Sequence, residues 1–295
     1  MLNESCNARY AIAMANLVSV ITCTNCYSSE DSPNQKSVMA KYSNIQIFKY
    51  SNSILSLLEK CEVKSGYECD ISYDATLTTD STIRMAGRNG QLRHQIILKQ
   101  ENDKAEYYIA WQAAWILREF STDETKRVGI THSKEGFEET KASLAERYPS
   151  MDSLKLDNFT QQILGGIVTQ VRSVPVGILV DLYLHREYTE LHVLQQQVLT
   201  QQIREYWAAL NLDKSQFPES IVLANQHMNA AQAAMVDYQF PSPELTAPYK
   251  VAGMEGISLQ LLDICLKYNS DGEKDKELID EWGKALNIQH LYRWV

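Results

Sequence analysis

The chain has 295 residues, with 28 Lys and Arg against 37 Asp and Glu for a formal net charge of −9; 44% of residues are hydrophobic and 9% aromatic. That length supports one large or two modest cores. The apolar share excludes intrinsic disorder, and 12 Gly with 7 Pro exclude a collagen-like or low-complexity chain. An acidic balance without a concentrated basic cluster argues against nucleic acid, whose phosphates need clustered Lys and Arg.

The first candidate element is Tyr10–Cys23, a moderately apolar run as long as a secretory h-region but short of the roughly 20 residues that span a bilayer. Glu4 and a single Arg precede it, and no clear Ala-x-Ala site follows. These flanks favour an amphipathic N-terminal helix in a cytoplasmic protein over export or lipid anchoring through Cys23. The six cysteines, Cys6, Cys23, Cys26, Cys61, Cys69 and Cys265, are too sparse for a disulfide scaffold. Cys23-x-x-Cys26 is half of a zinc-knuckle spacing, and no second half follows at a fitting distance. Ser32 and Pro33 predict the start of a short helix ending near Tyr42. A second helix is predicted over Ser53–Val63, with Ile54, Leu57, Leu58 and Cys61 on one face. The period then changes. Tyr67–Tyr73 alternates, and Thr82–Gly87 with Gln91–Lys99 flank Arg88-Asn89-Gly90, a strong hairpin signal, so a small antiparallel sheet of about three strands is expected.

From Asn102 the pattern is helical. Asp103 is placed to cap a helix running to Phe120, on which Tyr108, Trp111, Ala114, Trp115 and Arg118 recur at helical spacing. Further helices are predicted at 134–147, 157–173, 175–188, 191–210, 218–239, 255–268 and 273–286, with Pro175 separating two of them. Phe240–Pro248 reads as a loop, and Gly165-Gly166 as a point of close helix packing. The expected fold is therefore α+β and predominantly helical, a small antiparallel sheet followed by a helical body. Its organisation is an N-terminal helix or extension over 1–32, an α+β domain over 33–240, and a C-terminal helical segment over 241–295. The last segment closes on Tyr292 and Trp294 and is expected to dock on the same domain. No membrane span is expected.

Familiar chemical signatures are missing. The chain has no GxxxxGK[ST], no GxGxxG after a strand and no GxSxG, and its six histidines, His94, His132, His185, His192, His227 and His290, form no H-x-x-x-H pair. Asp181 and His185 are helical neighbours at i and i+4; on one continuous helix His192 would lie two turns further, about 10 Å from His185 and too far to share a metal with it. Trp111-Gln112-Ala113-Ala114-Trp115 puts two indoles one turn apart. Indole offers no lone pair on its ring nitrogen, so these residues form either a core seam or an aromatic wall, not a metal site.

The order of parts resembles a zincin-type metallopeptidase domain, of the gluzincin kind found in small bacterial minigluzincins and regulatory proteases. That family places a small sheet before a helix bearing His-Glu-x-x-His, and a third ligand on a later helix. The resemblance covers about Val38–Tyr238. It implies that the first His falls on Trp111, the catalytic Glu on Gln112 and the second His on Trp115. The third ligand falls on Asp181, at the end of Arg172-Ser-Val-Pro175-Val-Gly-Ile-Leu-Val-Asp181. Zinc needs imidazole or carboxylate lone pairs, and bound water needs a base that a neutral amide cannot supply. The resemblance thus implies a pseudo-peptidase with no zinc or other cofactor, acting on a protein or peptide partner through the former substrate groove. Two other readings stand beside it. One is a hydrolase of another type using Asp181, His185 and Glu187 or Glu190. The other is a helical scaffold or oligomer, in which Gln195-Gln196-Gln197 and Gln201-Gln202 could line a subunit contact, although such a face is more often solvated.

Overall fold

A computed structural model describes residues 50–88, 90–240, 244–268 and 272–295. The N-terminal extension over 1–32, the Ser32–Tyr42 helix, Cys6, Cys23, Cys26 and Asn89 lie outside the described residues. The described residues divide into two compact units with the boundary after Phe120, inside the span 33–240 that the sequence reading treats as one domain. The fold is α+β and predominantly helical.

The first unit holds α1 (Asn52–Ser65), β1 (Cys69–Tyr73), β2 (Ser81–Arg84), β3 (His94–Leu98) and α2, which begins at Ala105 and ends at Ser121. Ile54, Leu57 and Cys61 form the buried stripe of α1, and Leu58 is half-buried at its margin. The helix ends at Gly66, whose φ of 75° allows its N–H to reach the carbonyl of Glu62. The three strands pair in the order β1-β3-β2. β2 and β3 are antiparallel, with Ser81 opposite Leu98 and Ile83 opposite Ile96, but β1 runs parallel to β3. The expectation of an antiparallel sheet is corrected in that one pairing. The reason lies in composition: the most apolar strand, β3, takes the centre, where it is covered by a neighbour on each side, and the more polar Cys-Asp-Ile-Ser-Tyr strand goes to an edge.

Helix α2 runs alongside β2. Tyr108 Oη donates to Asp80 at 2.7 Å, Gln112 Nε2 donates to Ser81 Oγ at 2.9 Å, and Arg88 pairs with Glu119 near the helix end. Helix α1 runs in the same sense as α2: the Ser51 N–H donates to Glu106 Oε1, and Cys61 Sγ donates to the carbonyl of Ala113 at 3.1 Å. At the start of α2, the Lys104 N–H is accepted by Asn102 Oδ1 at 3.0 Å.

The second unit contains β4 (Ile130–His132), α3 (Lys134–Arg147), α4 (Ser153–Glu187), α5 (His192–Tyr206), α6 (Glu219–Gln239), α7 (Ala247–Val251), α8 (Glu255–Lys267), α9 (Asp275–Ala285) and β5 (Tyr292–Trp294). Helix α4 is its spine and touches α3, α6, α8, α9 and β4. It is long and apolar enough to cross a membrane by length and composition, yet 78% of that stretch is buried within the protein. Pro175 does not divide it, contrary to the expectation of two helices. Every residue from Ser173 to Leu182 is buried. An interior proline costs about 3 kcal/mol, whereas each buried Val, Ile or Leu contributes about 1.5–3 kcal/mol, so the packing outweighs the lost backbone bond.

One further expectation fails for a local reason. The Phe240–Pro248 segment is not wholly loop, because Pro248 enters the first turn of α7, where its missing N–H is harmless. Of the Gly165-Gly166 pair, Gly165 is exposed, with open space where a Cβ would stand, whereas Gly166 is buried on the packed side of α4. A glycine pressed against backbone is Gly136, in the first turn of α3, where a Cβ would meet the Cα of Leu291 at 2.6 Å. Leu291 leads into β5, which pairs antiparallel with β4 through Ile130 opposite Trp294 and His132 opposite Tyr292. Asp280 on α9 accepts from Trp294 Nε1 at 2.9 Å and from Tyr292 Oη at 3.2 Å.

These two glycines predict opposite outcomes. Gly136→Ala is expected to destabilise the chain by about 1–3 kcal/mol, since backbone cannot move aside. Gly165→Ala should stabilise it by about 0.5–1 kcal/mol through helix propensity. Urea unfolding of the two variants beside the parent checks both signs.

Candidate functional site

The residues singled out from the sequence fall into two clusters, one in each unit. In the first, Trp111 and Trp115 stack along α2 with ring centroids 5.1 Å apart, and each is only 3% exposed. They are core residues, so the aromatic-wall reading does not describe them. Gln112 is fully buried. Its amide nitrogen is held by Ser81 Oγ, while Gln112 Oε1 and Trp111 Nε1 have no hydrogen-bond partner among the described residues.

The strand register puts Ser81, Ile83, His94, Ile96 and Leu98 on one face, the face that Gln112 meets through Ser81. His94 is fully buried there, edge-on to Phe120 at 5.0 Å and to Tyr67 at 5.8 Å. Its Nδ1 accepts the Ala86 N–H at 3.1 Å, which places the proton of the neutral ring on Nε2. Burial lowers its pKa to about 4. Nothing in the sequence pattern distinguished Ser81 or His94, because a single polar residue in a strand reads as solvent-facing until the strand's neighbours are known.

In the second cluster Asp181 is 4% exposed near the end of α4. Its backbone carbonyl accepts from Gln195 Nε2 at 2.8 Å and from Gln239 Nε2 at 3.1 Å, and Gln195 also reaches Asp181 Oδ1 at 3.4 Å. Gln195 is therefore core, unlike the exposed Gln197 and Gln201 of the same helix. His185 and His192 are not about 10 Å apart. Helix α4 stops at Glu187, the chain turns through Thr189–Leu191, and His192 opens α5. The two imidazoles stack at 4.1 Å with a 12° interplanar angle. His192 Nε2 lies 2.6 Å from the carbonyl of His185, and Phe240 meets the His185 ring edge-on at 4.9 Å. Burial first, and then the neighbouring His192, hold the His185 pKa below the usual imidazole range. Glu187 does not join this group: its side chain is exposed and pairs with Arg186 at 2.7 Å.

A catalytic metal needs several lone-pair donors around one point. Among the described residues no group of three His, Cys, Asp or Glu side chains is arranged to hold one. Among the described residues Cys61, Cys69 and Cys265 form no disulfide, and burial raises the first two well above the ordinary thiol range, which disfavours the nucleophilic thiolate. No protein-family model, curated protein or solved structure matches the chain.

The buried imidazole of His94 predicts acid sensitivity with a defined sign. Between pH 6.5 and about 4 the unfolded chain binds a proton that folded His94 refuses. Its contribution is therefore fully present above pH 6.5 and is lost as pH falls, by on the order of 3 kcal/mol in total. His94→Asn keeps an acceptor for Ala86 but cannot titrate. Urea unfolding from pH 7.5 to 4.5 should show a flatter pH dependence in that variant than in the parent.

Proposed function

We propose that this protein is a metallopeptidase-like pseudoenzyme that works by binding a protein or peptide rather than by hydrolysis. The observation that carries the reading is Gln112, a fully buried neutral amide bonded to Ser81 and flanked on its helix by two core indoles. In the resemblance drawn from the sequence, these three positions belong to the zinc ligands and the general base. Here they combine side chains that cannot ligate zinc with a group that cannot take a proton from water. Filling such a position with buried bulk preserves a core while removing the charge and the open coordination that hydrolysis requires. The activity left to such a chain is recognition.

Metal analysis and assay test this directly. Purified protein is expected to carry substoichiometric zinc and to leave casein and a peptide panel intact, while binding at least one peptide of an array saturably. Stoichiometric, chelator-removable zinc with chelator-sensitive hydrolysis would overturn the reading, and the absence of any saturable peptide would remove its binding half. The same position yields a stability prediction. Gln112→Glu would place a carboxylate in a dry site with a single hydroxyl donor, so it should cost about 3 kcal/mol or more at neutral pH, and less in acid, where the carboxyl is protonated. Urea unfolding at pH 7.5 and 5 checks both parts.

A further inference from the structure

The three-stranded sheet of the first unit has β1 at one edge and β2 at the other. Along β1 the direction of each main-chain group follows from the pairing, because in a parallel ladder alternate residues turn both N–H and C=O toward the same neighbour. The His94 N–H donates to the Glu68 carbonyl and the Asp74 N–H to that of Leu98, each at 2.8 Å, so Glu68, Asp70, Ser72 and Asp74 face β3. Cys69, Ile71 and Tyr73 therefore turn theirs outward. The Cys69 N–H is accepted by Glu62 Oε1 at 2.9 Å, which agrees with this direction. The outward main-chain groups of Ile71 and Tyr73 have no partner among the described residues.

Such an edge is a template for another strand unless lysine, proline or a bulge guards it. β1 reads Cys-Asp-Ile-Ser-Tyr and stays in register with β3 throughout, so it has none of these. A wall stands beside it. Leu55, Leu58 and Glu62 share one face of α1 at helical spacing, each half-buried, and the bond from Cys69 to Glu62 sets that face along the outer edge. The edge thus offers main-chain hydrogen bonds, an apolar strip beside them and a carboxylate at the Cys69 end. No Lys, Arg or His pairs with Glu62 among the described residues. At the same end Glu68 and Asp70 share one cation, Arg93, and so add net negative charge.

We propose that the outer edge of β1 is a strand-addition site for an extended peptide segment that carries a lysine or arginine. This rests on the recognition reading above and gives it a place, across the sheet from the strand that Gln112 meets through Ser81. The added strand bonds to the free N–H and C=O groups of Ile71 and Tyr73, lays apolar side chains against Leu55 and Leu58, and brings its cation to Glu62. Main-chain bonds give such a complex its affinity, and the flanking side chains give it specificity.

The probe is the end-blocked heptapeptide Thr-Val-Thr-Lys-Thr-Val-Thr, whose valines and lysine share one face when extended. It is titrated to millimolar concentration into the isotope-labelled full chain and followed by amide NMR. The largest shifts are expected at Ile71, Tyr73 and their neighbours, with binding about fivefold tighter than that of the same peptide carrying glutamate in place of lysine. Glu62→Gln keeps an acceptor for the Cys69 N–H and should remove that preference. N-methylation of every internal peptide amide should abolish binding. Ile71→Pro removes one outward N–H, leaves the bonds to β3 in place and should weaken binding about tenfold or more. Should that variant unfold, the N-methylated peptide and Glu62→Gln decide. Saturable binding that shifts other residues, or that ignores both N-methylation and Glu62→Gln, overturns this site and leaves the recognition reading standing. No binding of the probe overturns strand addition, while the peptide array judges the wider reading separately. A dimer in light scattering that Ile71→Pro dissociates would assign the edge to a second copy and overturn the proposal equally.

Discussion

Burial of helix α4 constrains the rest of the second unit. Thirty-five residues run without interruption through Pro175, because α3, α6, α8, α9 and β4 all close on this helix. Once it is enclosed, any polar group along it must find a partner inside the protein or be left with a desolvation cost. Ser173 Oγ is left without a partner among the described residues, but at two other places carboxamides supply one. Gln170 Oε1 accepts from Asn225 Nδ2 at 3.0 Å, and Asn225 Oδ1 lies 3.4 Å from Asn229 Nδ2. Further on, Gln195 and Gln239 close on the Asp181 carbonyl. Carboxamides both donate and accept without carrying charge, so they can knit helices together in a dry interior where ionised groups would need exact compensation.

The first unit obeys the same rule on a smaller scale. Its buried polar contacts from α2 to the sheet are an amide on a hydroxyl at Gln112 and Ser81, and a phenol on a carboxylate at Tyr108 and Asp80 nearer the surface. Where an ionisable ring is fully buried, as at His94, the environment keeps it neutral. A hydrolase needs the opposite arrangement, with charge held ready in a site that water can enter.

How far the sequence could reveal this depended on the length scale of each signal. Helices announce themselves over many residues, so Lys134–Arg147, Glu219–Gln239 and Glu255–Lys267 lie close to their expected spans. The Asn-Gly turn located the hairpin, but strand order was hidden, because it depends on which strand gains most from two neighbours. β4 and β5 have three residues each and lie far apart in the chain, too short and too distant for any periodic pattern. Pro175 misled because a local rule was overruled by tertiary burial. Trp111, Gln112 and Trp115 were legible as a group since one helix carries all three. Ser81 and His94 were not, being contributed by strands whose register the sequence does not state.

The histidine pair shows the same limit most sharply. His192 lies seven positions after His185, and on an unbroken helix that spacing keeps the rings apart. Ending α4 at Glu187 and restarting at His192 reverses the inference, since a short turn folds the second ring onto the first. Helix ends are the least certain part of any pattern reading, and here one such end decides whether two imidazoles lie apart or stack on one another. The chemistry of this junction follows from where the chain stops being helical, and only secondarily from which residues it carries.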